Sequence, residues 1–244
     1  MSENEKQEEE EIKYEILDED VTEVNYAFKI IVIGDSNVGK SCLTLKGTKD
    51  KFKDFYSPTI GFEFLSFNIK INDKIVKLQI WDTCGQEVYR SLISSFYRNS
   101  SLAIIVYAIN NKESFDNLES WLDEIKSKTH PYLKIFLIGN KVDLENERVV
   151  DRATAEELAK DHNIDLFLET SAKTGVNAKK LFVKAAQILL ENYKDFAEFD
   201  TRDSNASKDK SSITLSADEN DNGNINDGET GPDIDKKRKK KCGC

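Results

Sequence analysis

The sequence predicts an α/β fold: a six-stranded, mostly parallel sheet with one antiparallel strand and helices on both faces. Three observations predict it. The apolar run Phe28–Ile33 leads into a loop with glycine at both ends and then into a helix start. Strand-length apolar runs then alternate with stretches of helical spacing, the pattern that gives parallel strands covered on both sides. Each polar motif stands directly behind a strand, and in such sheets ligands bind beyond the carboxyl ends of the strands.

The elements follow in order. After the glycine-bounded loop, Cys42 to about Lys46 continues as a short helix that Gly47 is expected to stop. Lys49 to Pro58 has no clean period and reads as a loop, in which Phe52 is either a stray surface aromatic or a ring packed against a ligand. Ile60–Ile71 and Lys74–Trp81, joined by Asn72-Asp73, read as a β-hairpin. Leu102–Ile109 is a strand, and Phe115, Leu118, Leu122 and Ile125 give the next stretch helical spacing. Ile135–Ile138 is a further strand, and Arg152 to His162 a helix. Leu166–Leu168 makes the sixth strand, and the last helix runs from about Asn177 to Tyr193.

Gly34-Asp35-Ser36-Asn37-Val38-Gly39-Lys40-Ser41 has the spacing of a phosphate-cradling loop, G-x-x-x-x-G-K-S. Two glycines let the backbone take turns closed to residues with a Cβ, so successive N–H groups can converge on one anion. The following helix adds the positive end of its dipole. Lys40 supplies a point cation for outer phosphates, and the Ser41 hydroxyl is placed to ligate Mg²⁺.

Composition bounds the rest. The chain has 244 residues and a formal net charge of −10, which argues against general nucleic-acid binding by the folded part. Residues 1–25 are crowded with acids, and residues 197–244 are dominated by Asn, Asp, Ser and Gly before a basic end. Neither segment can bury enough surface to offset its ordering entropy, so both are expected to be disordered around a domain spanning 26–196. The N-terminus lacks the order of a signal peptide, and no apolar run approaches the roughly 20 residues of a membrane span. Four cysteines, two among the last three residues, make no disulfide framework, which points to the reducing cytosol.

The set GDSNVGKS, Thr59, Asp82-Thr-Cys-Gly-Gln86, Asn140-Lys-Val-Asp143 and Ser171-Ala-Lys173 resembles the Ras superfamily of small GTPases. Ile60–Phe64, Leu78–Asp82, Phe96-Tyr-Arg98 and the Cys-x-Cys ending are similar to its Rab branch. The resemblance implies a P-loop NTPase of the Ras-like type that binds GTP through residues 34–42, Phe52, Thr59, Asp82, Gly85 and the two later motifs. The cleft-side residues so implied include Cys42, Lys141, Ala172 and Lys173. Asp143 would accept from guanine N1–H and the exocyclic amine. Adenine offers neither hydrogen at that edge, and sites of this kind reject the wrong partner by about 10⁴-fold or more. Outside this context Asn-Lys-x-Asp is equally an exposed turn. By resemblance Asn140 and Lys141 frame the base, the Ala172 backbone meets guanine O6, and Phe52 stacks across the ring. Ser41 and Thr59 would ligate Mg²⁺ directly and Asp82 through water, so that Thr59 senses the γ-phosphate. Gln86 is the candidate for orienting the attacking water, against the bland alternative of an exposed loop glutamine.

Several positions depart from the Rab pattern: Cys84, Val88-Tyr89, Ala108 and Gly47. They bear on partner identity more than on nucleotide chemistry. Cys84 is either an inert small residue or a redox-sensitive thiol. At the C-terminus, Lys236–Lys241 precedes Cys242-Gly-Cys244. A nuclear signal needs only the basic run, and a metal site lacks further ligands. The ending resembles the doubly geranylgeranylated terminus of Rab proteins, for which two chains make a stable anchor. The expectation is therefore a monomeric, slowly hydrolysing GTPase on the cytoplasmic face of intracellular membranes, with a soluble cytosolic fraction. Its expected partners are effectors of vesicle-mediated transport, an exchange factor, a GTPase-activating protein, and prenylation and extraction machinery, with no nucleic acid. The rival expectations are a Ras- or Rho-type signalling GTPase and a GTP-binding scaffold with vestigial hydrolysis.

Overall fold

The computed structural model describes residues 13–18, 20–52, 59, 61–85 and 97–193. Gln86, Ile60, Val88, Tyr89, Phe96, the run Lys236–Lys241, Cys242 and Cys244 lie outside the described residues.

The strands are β1 (Tyr14–Leu17), β2 (Tyr26–Ile33), β3 (Phe62–Ile71), β4 (Lys74–Thr83), β5 (Leu102–Ala108), β6 (Lys134–Asn140) and β7 (Leu166–Thr170). The helices are α1 (Lys40–Lys49), α2 (Lys112–Asp116), α3 (Leu118–Lys128), α4 (Arg152–Asp161) and α5 (Ala178–Glu191), with a 3-10 turn at Val142–Glu147. The strands form one sheet in the order β1-β3-β4-β2-β5-β6-β7. Parallel pairing joins β4, β2, β5, β6 and β7, while β3 pairs antiparallel with both β4 and β1. Among the described residues β3 therefore runs alone against the other six.

Alternation along the central strands places a core on each face. Phe28, Ile30 and Val32 of β2 join Leu181, Ala185 and Leu189 of α5, whereas Ile31 and Ile33 join Trp121, Leu122 and Ile125 of α3. All seven residues of β5 are buried, as a strand covered on both sides requires.

Four expectations need correction. The sheet has seven strands rather than six, because Tyr14–Leu17, assigned by composition to a disordered extension, pairs with Asn68–Ile71. Asn68 Nδ2 fastens the end of that strand by donating to the Asp18 carbonyl at 2.7 Å. Gly47 does not stop α1; the helix runs on to Lys49 and ends at Asp50, which is left-handed at φ 53°. The glycine serves packing, since a Cβ there would lie 2.4 Å from Phe182 Cε2 and 2.5 Å from the Ala178 carbonyl. The single helical period around Phe115–Ile125 is two helices, divided at Asn117. Finally, β4 and β6 run past Trp81 and Ile138 to Thr83 and Asn140. The ladder, not a loop, thus aims Asp82 and Asn140.

Candidate functional site

A cleft of about 480 Å³ opens at the carboxyl ends of the parallel strands. Its floor is the loop after β2. Gly34 takes φ +132°, and a Cβ there would lie 2.1 Å from the Val106 carbonyl, so the loop presses against β5. Gly39 takes φ +94°, with only 2.5 Å to Asn140 Nδ2. Asn37 accepts a left-handed φ of 62° that asparagine tolerates. No side chain among the described residues caps α1, which leaves its first amides directed at the cleft.

Lys40 lies at the head of α1, 5% exposed, its Nζ donating to the carbonyls of Gly34 at 2.9 Å and Asp35 at 2.7 Å. Burial pulls its ammonium down to about 8, against the opposing pull of Asp82 and Asp35. A buried cation in a cradle of amides is a site for a polyanion. Gly85 approaches the same group closely, since a Cβ there would sit 2.5 Å from Lys40 Nζ.

Ser41, Thr59 and Asp82 come together although they are distant in sequence. Ser41 Oγ and Thr59 Oγ1 are 2.8 Å apart, and Ser41 also donates to Asp82 Oδ2. Asp82 is fully buried, and its Oδ1 has no hydrogen-bond partner. Burial pushes its carboxyl up to about 6, against the Ser41 hydrogen bond and the Lys40 charge. The described residues hold no group of three His, Cys, Asp or Glu, so a cation here would depend on hydroxyls. Two hydroxyls in contact beside an orphaned carboxylate oxygen suit a hard cation such as Mg²⁺.

At the other end, Asn140 lines the cleft and is also a strut. Its Nδ2 donates to the Val38 carbonyl at 2.9 Å, and its Oδ1 accepts from Thr170 Oγ1 at 3.1 Å and the Ala172 amide at 3.2 Å. The Ala172 amide, expected to meet the base, is thus shared with Asn140. Ser171 does not line the cleft; its Oγ donates to Asp143 Oδ1 at 2.6 Å and fixes that carboxylate. Lys141, left-handed at φ 72°, lines the wall with Lys173, and burial lowers its ammonium. Arg148 bridges Glu145 and Glu169, at 2.8 and 2.7 Å, and so clasps the 3-10 turn that carries Asp143 to β7.

Ser36, Asn37, Cys42 and Phe52 also line the cleft. Gly34, Asp35, Val38 and Asp82 shape the walls from behind. Sequence reasoning missed Thr83 and Leu144, both lining residues. Leu144 carried a signal, as an apolar residue directly behind Asp143 in a polar turn. Thr83 carried none, its hydroxyl being tied to the Val32 carbonyl at 2.8 Å.

The model of the Ras family matches residues 29–191 of this chain. The chain belongs to the Ras family. As a small GTPase it binds GTP and GDP with Mg²⁺ and hydrolyses GTP. In this Ras-family GTPase one end of the cleft is built by β2, α1 and β4, and the other by β6, the 3-10 turn and the segment after β7.

Proposed function

We propose that this GTPase is a Rab-like switch, anchored by lipid to the cytoplasmic face of intracellular membranes, that recruits effectors in vesicle-mediated transport. The observation that carries the switch is the contact of Thr59 with Ser41 beside Asp82. Thr59 reaches the cation site from a stretch that leads, three residues later, into β3. There Phe62 and Phe64, each 49% exposed, pack against Trp81 at ring distances of 5.3 and 5.2 Å. Exposed aromatics grouped in this way mark a partner surface. With Ser41 and Thr59 the residues that would hold the cation, a γ-phosphate drawing on Thr59 would act on the lead-in to that surface, and its loss would release that lead-in.

Ser41 and Thr59, with the Asp82 carboxylate beside them, would hold a Mg²⁺ ion, which would supply neutralisation of phosphate charge. Lys40 and the loop amides hold the phosphates, Asp143 selects guanine, and Gln86 orients the attacking water. The membrane role draws on Cys242-Gly-Cys244 behind six basic residues. Two lipid chains anchor stably where one binds marginally, and the basic run adds up to about 1 kcal/mol per residue at an anionic leaflet. Mass spectrometry of the C-terminal peptide from eukaryotic cells should find two geranylgeranyl groups. Converting Cys242 and Cys244 to serine should move the protein from membranes to the soluble fraction. A single farnesyl group, or retention of the serine variant on membranes, would reverse this reading in favour of a Ras- or Rho-type role or another anchor.

A further inference from the structure

The phosphate loop carries a negative charge where it is least welcome. Asp35 follows Gly34 directly, and a carboxylate free to swing into an anion pocket would repel the phosphates held there. It is held outward instead. Asn117 Nδ2 donates to Oδ2 at 2.7 Å, and Trp121 Nε1 donates to Oδ1 at 2.8 Å. Both donors come from the α2–α3 junction, 82 and 86 residues further along the chain.

Asn117 occupies the N-cap position of α3, where an asparagine side chain ordinarily accepts from the first helical amides. It makes no such cap and reaches Asp35 instead. Trp121 is 2% exposed, so its indole N–H requires a buried acceptor, and Asp35 provides it. The Asp35 carbonyl, on the same residue, receives Lys40 Nζ at 2.7 Å. The residue thus joins α3 on one side to the phosphate-binding lysine on the other.

We propose that Asn117 and Trp121 are positioning residues of the phosphate site: together they hold the Asp35 carboxylate out of the anion pocket and steady the backbone oxygen that orients Lys40. Hydrogen bonds to a charged acceptor are among the stronger ones in proteins, so the pair restrains a flexible loop effectively.

The test compares affinities for GTP, GDP and GMP, with Mg²⁺ present, in the full chain and its variants. Asn117→Ala combined with Trp121→Phe should weaken GTP about 10-fold, the factor expected for losing hydrogen bonds to a charged group, GDP less, and GMP within about twofold. Adding Asp35→Asn to that pair should recover most of the lost GTP affinity, because no charge remains to be restrained. A purely structural role predicts neither the grading with phosphate number nor the rescue. Equal loss across the three nucleotides, or no recovery with Asp35→Asn, overturns the inference. Should the pair fail to fold, Asn117→Ala alone and with Asp35→Asn carries the same ordering at about threefold. Failure of the unaltered protein to bind any of the three would instead sink the nucleotide reading on which this inference rests.

Discussion

Asp82 and Lys40 are displaced in opposite senses, and the signs set a proton balance. Asp82 stands at about 6, above its ordinary 3.8, so burying its charged form costs stability above pH 6, and that cost disappears as pH falls from 6 to 4. Lys40 stands at about 8, below its ordinary 10.5, so its cost is present below pH 8 and disappears as pH rises towards 10.5. A phosphate restores the lysine's charge and a cation restores the carboxylate's. Near pH 9, where the phosphates are already ionised, binding of GDP with Mg²⁺ should take up close to one proton; near pH 6 it should release protons. Titration calorimetry in buffers of differing ionisation heat measures both, and proton release at pH 9 would contradict the assignment to Lys40. At this scale much of the cleft lining was legible, because Lys40, Ser41, Thr59 and Asp143 stand in motifs whose spacing announces a shared cleft. Asn140 was legible only in part. Its type suggested a base contact, yet its partners Val38, Thr170 and Ala172 are set by where β6 and β7 end, which no local pattern encodes.

Among the elements, the central strands were the easiest to read, since continuous apolar runs bounded by polar turns have few other uses. β1 was not. Tyr14 to Leu17 is four residues long and lies beside an acidic run, so local composition outweighed its alternation. Its value is tertiary: Tyr14 and Ile16 stand opposite Ile71 and Ile69 in the register, and these partners are 3% and 0% exposed. Deleting residues 1–18 should therefore lower stability by about 1–3 kcal/mol, the scale of uncovering a large aliphatic side chain. Urea unfolding of the truncated and full chains measures this, and an unchanged midpoint would show that β1 contributes nothing. The α2–α3 division was hidden for a related reason. Asn117 fits a continuous helical period, and its side chain is tied to Asp35 across 82 residues, a contact no local pattern announces.

For the molecule as a whole, unaided hydrolysis should be slow. No arginine among the described lining residues faces the phosphate end of the cleft, where Lys40 is the buried cation. Relatives lacking an arginine in cis turn over at about 10⁻⁴ s⁻¹ and gain about 10⁵-fold when an activator inserts one. The purified full chain should hydrolyse GTP within an order of magnitude of that slow rate, and Gln86→Leu should reduce the activated rate at least 10-fold. Single-turnover phosphate release decides it; many turnovers per second unaided would contradict the account.

Asn140 has one more implication. A single amide group is moored at once to the loop after β2 and to the segment after β7. Damage to that mooring would be felt for every nucleotide, whatever its base and however many phosphates it bears. The cleft thus has two compartments but one keystone, and discrimination cannot be retuned there without loosening the grip as well.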